Sequence, residues 1–162
     1  RNPNALQSAD LPRIFAAEKA AWADGAPIRI ILRPRSEADS ALLGKLFSGM
    51  DAAIENARRR VEVPTAATDQ DNVDLAERVP GSLTGISATQ LATERPNLRV
   101  VPLDGVLPTF ANFESGAYPF TKKLYVVVRA NGSLEARRFV DFLRSPQGVR
   151  ALRATETLLG TQ

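Results

Sequence analysis

Apolar residues recur along this chain at two spacings in turn, one helical and one continuous and strand-like. Leu11, Ile14 and Phe15 share a helix face behind Ser8 or Asp10 as cap, with Pro12 tolerated in the first turn, and the spacing predicts a helix ending near Trp22. A turn at Asp24 and Gly25 leads into the apolar run 28–32, closed by Arg33, which is the pattern of a strand buried in a parallel sheet. Leu42, Leu43, Leu46 and Phe47 return to helical spacing up to Gly49, and a further helix is expected over 51–59. VEVPTAATD reads as a short strand limited by Pro64, followed by a helix over 70–78 that stops before Pro80-Gly81.

SLTGISA and LRVVPLDG are two more strand candidates, joined by a helix-permissive stretch over 90–96. The segment 124–129, LYVVVR, has the strongest strand pattern, ended by Asn131-Gly132. Ser133 then caps a helix with Ala136, Phe139, Val140 and Leu143 on one face, and Ser145-Pro146 opens a last short helix. The alternation predicts an α/β fold without internal repeats.

A length of 162 residues suits one domain, or one lobe with part of another. No apolar run approaches the roughly 20 residues of a membrane span. Net charge is +3 with acidic and basic residues interspersed, and aromatics make up 6%, so the chain lacks the basic, aromatic-lined groove that nucleic acid requires. With no histidine and no cysteine, thiol catalysis, disulfides, the usual zinc ligands and the Ser-His-Asp triad are all excluded. Glu37, Asp39, Asp69 and Asp104 form no catalytic spacing, so no enzyme, cofactor or metal site is predicted.

LPRIFAAEKAAWADGAPIRIILR resembles the opening of the second lobe of phosphate-type periplasmic solute-binding proteins of ABC transporters, the type II periplasmic binding protein family. VPGSLTGISATQL is similar to that family's Pro-Gly-x-Ile-Gly-Tyr strand, with Leu83 and Gly85 in register and Ile86 in the place of Tyr. LDGVLPTFANFESGAYPFTKKLYVVV is similar to its Gly-Val-x-Pro-Thr segment followed by Ser-Gly-x-Tyr-Pro. ARRFVDFLRSPQGVRAL looks like the closing helix pair with its Ser-x-x-Gly corner.

The resemblance implies a periplasmic-binding-protein-like lobe, a mostly parallel sheet flanked by helices, over residues 1–129. Residues 130–162 would be C-terminal helices that pack on a first lobe built from chain preceding Asn2-Pro3, and 118–129 would cross the hinge between lobes. It further implies a small anionic solute such as phosphate, an ABC permease as partner, and a periplasmic or extracytoplasmic place reached by an export signal upstream. Without the first lobe the C-terminal helices would expose apolar faces, through which they would fold back onto this lobe, pair two copies as a homodimer, or swap between copies. A ligand-sensing effector domain of the same architecture is the alternative function.

In the family, an Arg at a strand end and a Ser-Gly-Thr opening the next helix hold the anion, since free helix N–H groups and the helix dipole favour negative charge. Arg33 is present, but in RPRSEADS the expected Ser-Gly-Thr places carry Glu37, Ala38 and Asp39; a one-residue shift makes Ser36 the serine. Ser36 and Asp39 also read as a capping box, closed on itself. A carboxylate about 6 Å from a bound anion repels it by roughly 3 kcal/mol at an effective dielectric of 20, so carboxylates pointing at the cleft would weigh against tight phosphate binding or imply a cation-bearing or zwitterionic solute, while carboxylates pointing to solvent would leave the backbone donors usable. TDQDN, with Thr68 and Asp69, is a second expected wall, Asp69 or Asp71 alternatively capping the helix there. Arg58-Arg59-Arg60 reads as a solvated helix end, or as a dock for an acidic partner.

Overall fold

In the computed structural model, which describes residues 6–160, the chain forms two compact units. The first runs as far as Ile86 and takes in Pro96–Leu107; the second comprises Ser87–Arg95 and the chain from Pro108 onward. No helix among the described residues is long and apolar enough to cross a membrane.

The first unit contains α1 (Asp10–Phe15), β1 (Arg29–Ile30), α2 (Ala38–Leu46), α3 (Met50–Arg58), α4 (Asp69–Arg78) and β2 (Ser82–Leu83). β1 and β2 run parallel, Arg29 opposite Ser82 and Ile30 opposite Leu83. The ladder continues where Ile31 N–H donates to Leu83 O at 3.0 Å. On the other edge, Leu32 N–H donates to Pro64 O and Ala66 N–H to Leu32 O, both at 2.9 Å. Three parallel segments therefore lie side by side with β1 in the middle, and Ile30, Ile31 and Leu32 are all buried, as a strand covered on both faces requires. Pro64 has no N–H to give, so the expected strand around it shrinks to a bridge between Leu32 and Thr65. LRVVPLDG is likewise reduced to bridges, from Leu103 to Leu6 and to Val106.

α1 stops at Phe15 rather than near Trp22. Ala17 takes a left-handed backbone, φ 64°, and the N–H groups of both Glu18 and Lys19 turn back to Arg13 O. Trp22 is thereby freed to donate its indole N–H to Gly81 O at 3.0 Å. Neither Ser8 nor Asp10 caps α1, whose N-cap is Ala9. Asp10 instead accepts from Lys19 Nζ and, at 3.1 Å, from Arg13, and the Lys19 hydrogen bond holds its carboxyl below the usual carboxylate range.

The expected turn is present, with Gly25 at φ 85° and Asp24 Oδ1 accepting from Ala26 N–H. α2, α3 and α4 occupy the expected stretches, and Gly49, at φ 81°, turns the chain from α2 into α3. Ile14 and Phe15 of α1 and Met50, Ala53, Ile54 and Ala57 of α3 are all buried where those helices meet; the alanines let the two backbones approach. Ile31, Ala66 and Ala76 form a second cluster with Leu75 and Leu98 against it. Every buried apolar core residue among those described lies in this first unit.

The second unit contains α5 (Ala88–Glu94), α6 (Phe110–Glu114), α7 (Leu134–Arg144) and α8 (Pro146–Ala154). Ser133 caps α7 by accepting from Ala136 N–H, and Ser145 caps α8 by accepting from Gly148 N–H at 3.2 Å, as expected. Gly148 is buried because the turn between the two helices presses on it: a Cβ there would lie 2.0 Å from Phe142 O. Tyr118 stacks edge-on against Phe113 and Phe120, and burial pushes its hydroxyl pKa up.

The segment 124–129 is not a buried strand. It pairs with no other described segment, and Leu124, Tyr125, Val126 and Val127 are exposed, Val127 by 90%. An apolar pattern prepares a strand, but a strand exists only against a hydrogen-bonding neighbour. Leu134, Phe139 and Phe142 of α7 are exposed as well.

Candidate functional site

The three parallel segments of the first unit end together, so the chain following each of them meets at one edge of the sheet. After β1 comes Arg33 and the turn into α2; after Thr65 comes Thr68 at the head of α4; after β2 come Thr84 and Gly85. Carboxyl ends of parallel strands are where α/β domains place ligands, because helix N-termini converge there.

Arg33 is the centre of this edge and is only 7% exposed. Its Nη1 donates to Ala66 O at 3.1 Å and to Thr68 O, while Nη2 donates to Asp69 Oδ1 at 2.8 Å. Glu37 Oε1 stands 3.7 Å from Nη2, and Nε is buried without an acceptor among the described residues. The guanidinium thus faces its own chain, tying the turn before α4 to the end of β1, with two carboxylates between it and solvent. A strand-end Arg open to a solute was expected; the adjacent carbonyls and Asp69 have taken up its donors.

Of the expected site residues, Arg33, Glu37, Thr68 and Asp69 are brought together. Thr68 heads α4 with a complete capping box: its hydroxyl accepts from Asp71 N–H and Asp71 Oδ2 accepts from Thr68 N–H, both at 3.1 Å. Asp71, not Asp69, completes the cap, leaving the Asp69 carboxylate for Arg33. Ser36 and Ala38 are exposed at the start of α2, and Asp39 is half-buried in its first turn. The capping box read from Ser36 and Asp39 does not form; the N-cap is Glu37 and makes no side-chain cap bond. Gly44 lies against the Asp51 carboxylate, so a Cβ there would displace that side chain.

Behind the edge lies a second layer whose bracing role the sequence did not reveal. Asn72, 2% exposed, donates from Nδ2 to Gly85 O at 2.9 Å and accepts from the Thr84 hydroxyl at 2.6 Å. Arg58 donates to Arg33 O at 2.8 Å and to Ser40 Oγ at 3.2 Å, and Glu55 lies beside both Arg58 and Arg35. A cavity of about 30 Å³, large enough to admit a water molecule, is lined by Arg33, Asp39, Ser40, Thr84 and Gly85 among others. The Thr84-Gly85 pair sits within a recognisable strand motif, so that signal was present; Asn72, expected in the TDQDN wall, turns inward to brace that pair, and Arg58, expected at a solvated helix end, is drawn in by Arg33 O and Ser40.

Over residues 1–147 the sequence matches the family described as PBP superfamily domain. The chain belongs to the PBP superfamily. No curated protein matches it. The fold of this PBP domain is similar to that of a substrate-binding protein assigned to phosphate ABC transport from Clostridium perfringens, solved with bound phosphate. The TM-score is 0.78 at 18% identity, covering 100% of this chain and 65% of that one. It is also similar to PstS from Borrelia burgdorferi, with a TM-score of 0.68 at 18% identity, covering 98% of this chain and 65% of that one. The α/β architecture expected from the sequence is therefore that of periplasmic binding proteins, and this chain spans about two thirds of the length of both neighbours.

Proposed function

We propose that the PBP domain is the solute-binding second lobe of a two-lobed, non-enzymatic receptor that feeds an ABC-type permease outside the cytoplasmic membrane. The observation that carries this reading is the convergence of three parallel segment ends on Arg33, with α2 opening at the same edge without a side-chain cap. A fold neighbour that holds phosphate supports an oxyanion as the solute class. In this reading residues 1–129 belong to the second lobe and residues 130–162 are helices that pack on a first lobe. The exposed apolar residues of 124–127 and of α7 are the surface such a lobe would cover, and in its absence they are where two copies would meet. Uptake follows from closure of the lobes around solute, which needs both walls.

Asp69 and Glu37 set the affinity. An incoming anion reaches Arg33 only past two carboxylates that already neutralise it, so this edge alone holds phosphate weakly. Isothermal titration with inorganic phosphate tests the reading. Binding weaker than micromolar is expected, strengthened by Asp69→Asn; sub-micromolar affinity for the single lobe, or weaker binding in Asp69→Asn, contradicts it.

A further inference from the structure

The amino-terminal end of β1 carries a second feature, which the solute-binding reading does not use. A cavity of about 170 Å³ opens there, lined by apolar Ile14, Ile28, Ile30 and Val63 and by three cations, Lys19, Arg29 and Arg60, against one carboxylate, Glu62. Arg29 and Arg33 are four residues apart on an extended chain, which places this cavity roughly 13 Å from the Arg33 edge.

The cations are incompletely answered. Lys19 pairs with Asp10. Arg60 Nη2 donates to Phe15 O at 3.2 Å, its Nε is buried without a hydrogen-bond acceptor, and Glu62 stops 3.8 Å away on a side chain that is 73% exposed. Arg29 rests its Nη1 on Pro80 O and has no carboxylate within ion-pair distance among the described residues. Arg29 and Arg60, each with guanidinium donors left over, therefore both line one recess with apolar walls, where a charge-assisted hydrogen bond is stronger than in open water. Arginine presents a planar fork of donors that matches the oxygens of a carboxylate, sulfate or phosphate. Ala17, held in its left-handed conformation, turns the chain so that Lys19 joins them.

We propose that this recess is a second anion site, which takes one small free oxyanion between Arg29 and Arg60 with Lys19 at its rim. It assigns a role to the last member of the 58–60 arginine cluster: Arg58 braces the Arg33 edge, and Arg60 serves the opposite end of the same strand.

The test is an amide NMR titration of the protein with sodium sulfate at constant ionic strength. Saturable shifts are expected at residues 17–20, 28–30 and 60–63. Arg29→Gln, an exposed position with little bearing on folding, is expected to weaken the apparent affinity about tenfold, the loss of one charge-assisted hydrogen bond. Arg60→Gln is expected to abolish saturation, and Arg35→Gln, on the other edge, to leave it unchanged. Shifts that never saturate, that spread over all basic residues, or that survive Arg29→Gln unaltered would overturn the proposal.

Discussion

Replacing Arg33 with methionine should be the most damaging single change at the carboxyl-terminal edge of the sheet. The substitution keeps an unbranched apolar stem and removes every donor. Three hydrogen bonds disappear, leaving Ala66 O, which belongs to a residue only 1% exposed, and Thr68 O without their donor, and Asp69 without its cation. Hydrogen bonds from a charged donor contribute about 1.5–3 kcal/mol each, and breaking a buried ion pair by deleting one partner costs about 3–5 kcal/mol. The Asp69 side chain is 65% exposed, so water compensates it and the two carbonyls dominate the loss. The net expectation is a loss of about 3 kcal/mol, roughly half recovered by Arg33→Lys, which keeps the charge but lacks the planar fork. Urea unfolding followed by fluorescence measures this directly, because the single tryptophan, Trp22, bonds Gly81 O in the same unit. A loss below about 1 kcal/mol for Arg33→Met would show that the guanidinium is solvated rather than clamped, and the description of the edge would fall.

Asn72→Ala removes the group that joins α4 to the Thr84-Gly85 turn and should cost about 2 kcal/mol in the same unfolding assay, since Gly85 O and the Thr84 hydroxyl lose a buried partner; an unchanged midpoint would contradict it. Gly148→Ala drives a Cβ into Phe142 O and should destabilise the second unit by about 1–3 kcal/mol of overpacking, read as a lowered melting temperature by circular dichroism. The Asp10 carboxyl titrates below its ordinary value because Lys19 bonds its ionised form. A depressed folded-state pKa contributes stability above the unfolded value and loses it as pH falls through the folded one, so Lys19→Ala should shift the Asp10 NMR titration upward and remove that acid-side loss.

Much of the first unit was legible because its signals are local. A continuous apolar run marked β1, helical spacing marked α2 to α4, and Ser133 and Ser145 marked the starts of α7 and α8. The early end of α1 was not legible, since Leu11, Ile14 and Phe15 satisfy a helix whether or not it continues, and the decision falls to Trp22 finding Gly81 59 residues away. The segment 124–129 misled for the converse reason: its composition specifies strand readiness, while pairing depends on a neighbour that local pattern does not encode. At the site, residue types were readable and orientations were not. Arg33 was correctly placed at a strand end, but which acceptor it would face depended on the carbonyls of Ala66 and Thr68, brought beside it only by parallel pairing.

The central claim is that the carboxyl-terminal edge around Arg33 is the face this chain turns toward its solute. Mapping amide shifts during titration with inorganic phosphate tests it most directly. The account predicts weak, saturable shifts centred on residues 33–40 and 66–72, enlarged in Asp69→Asn. Shifts absent from those residues while the protein remains folded, or centred on another surface, would contradict it.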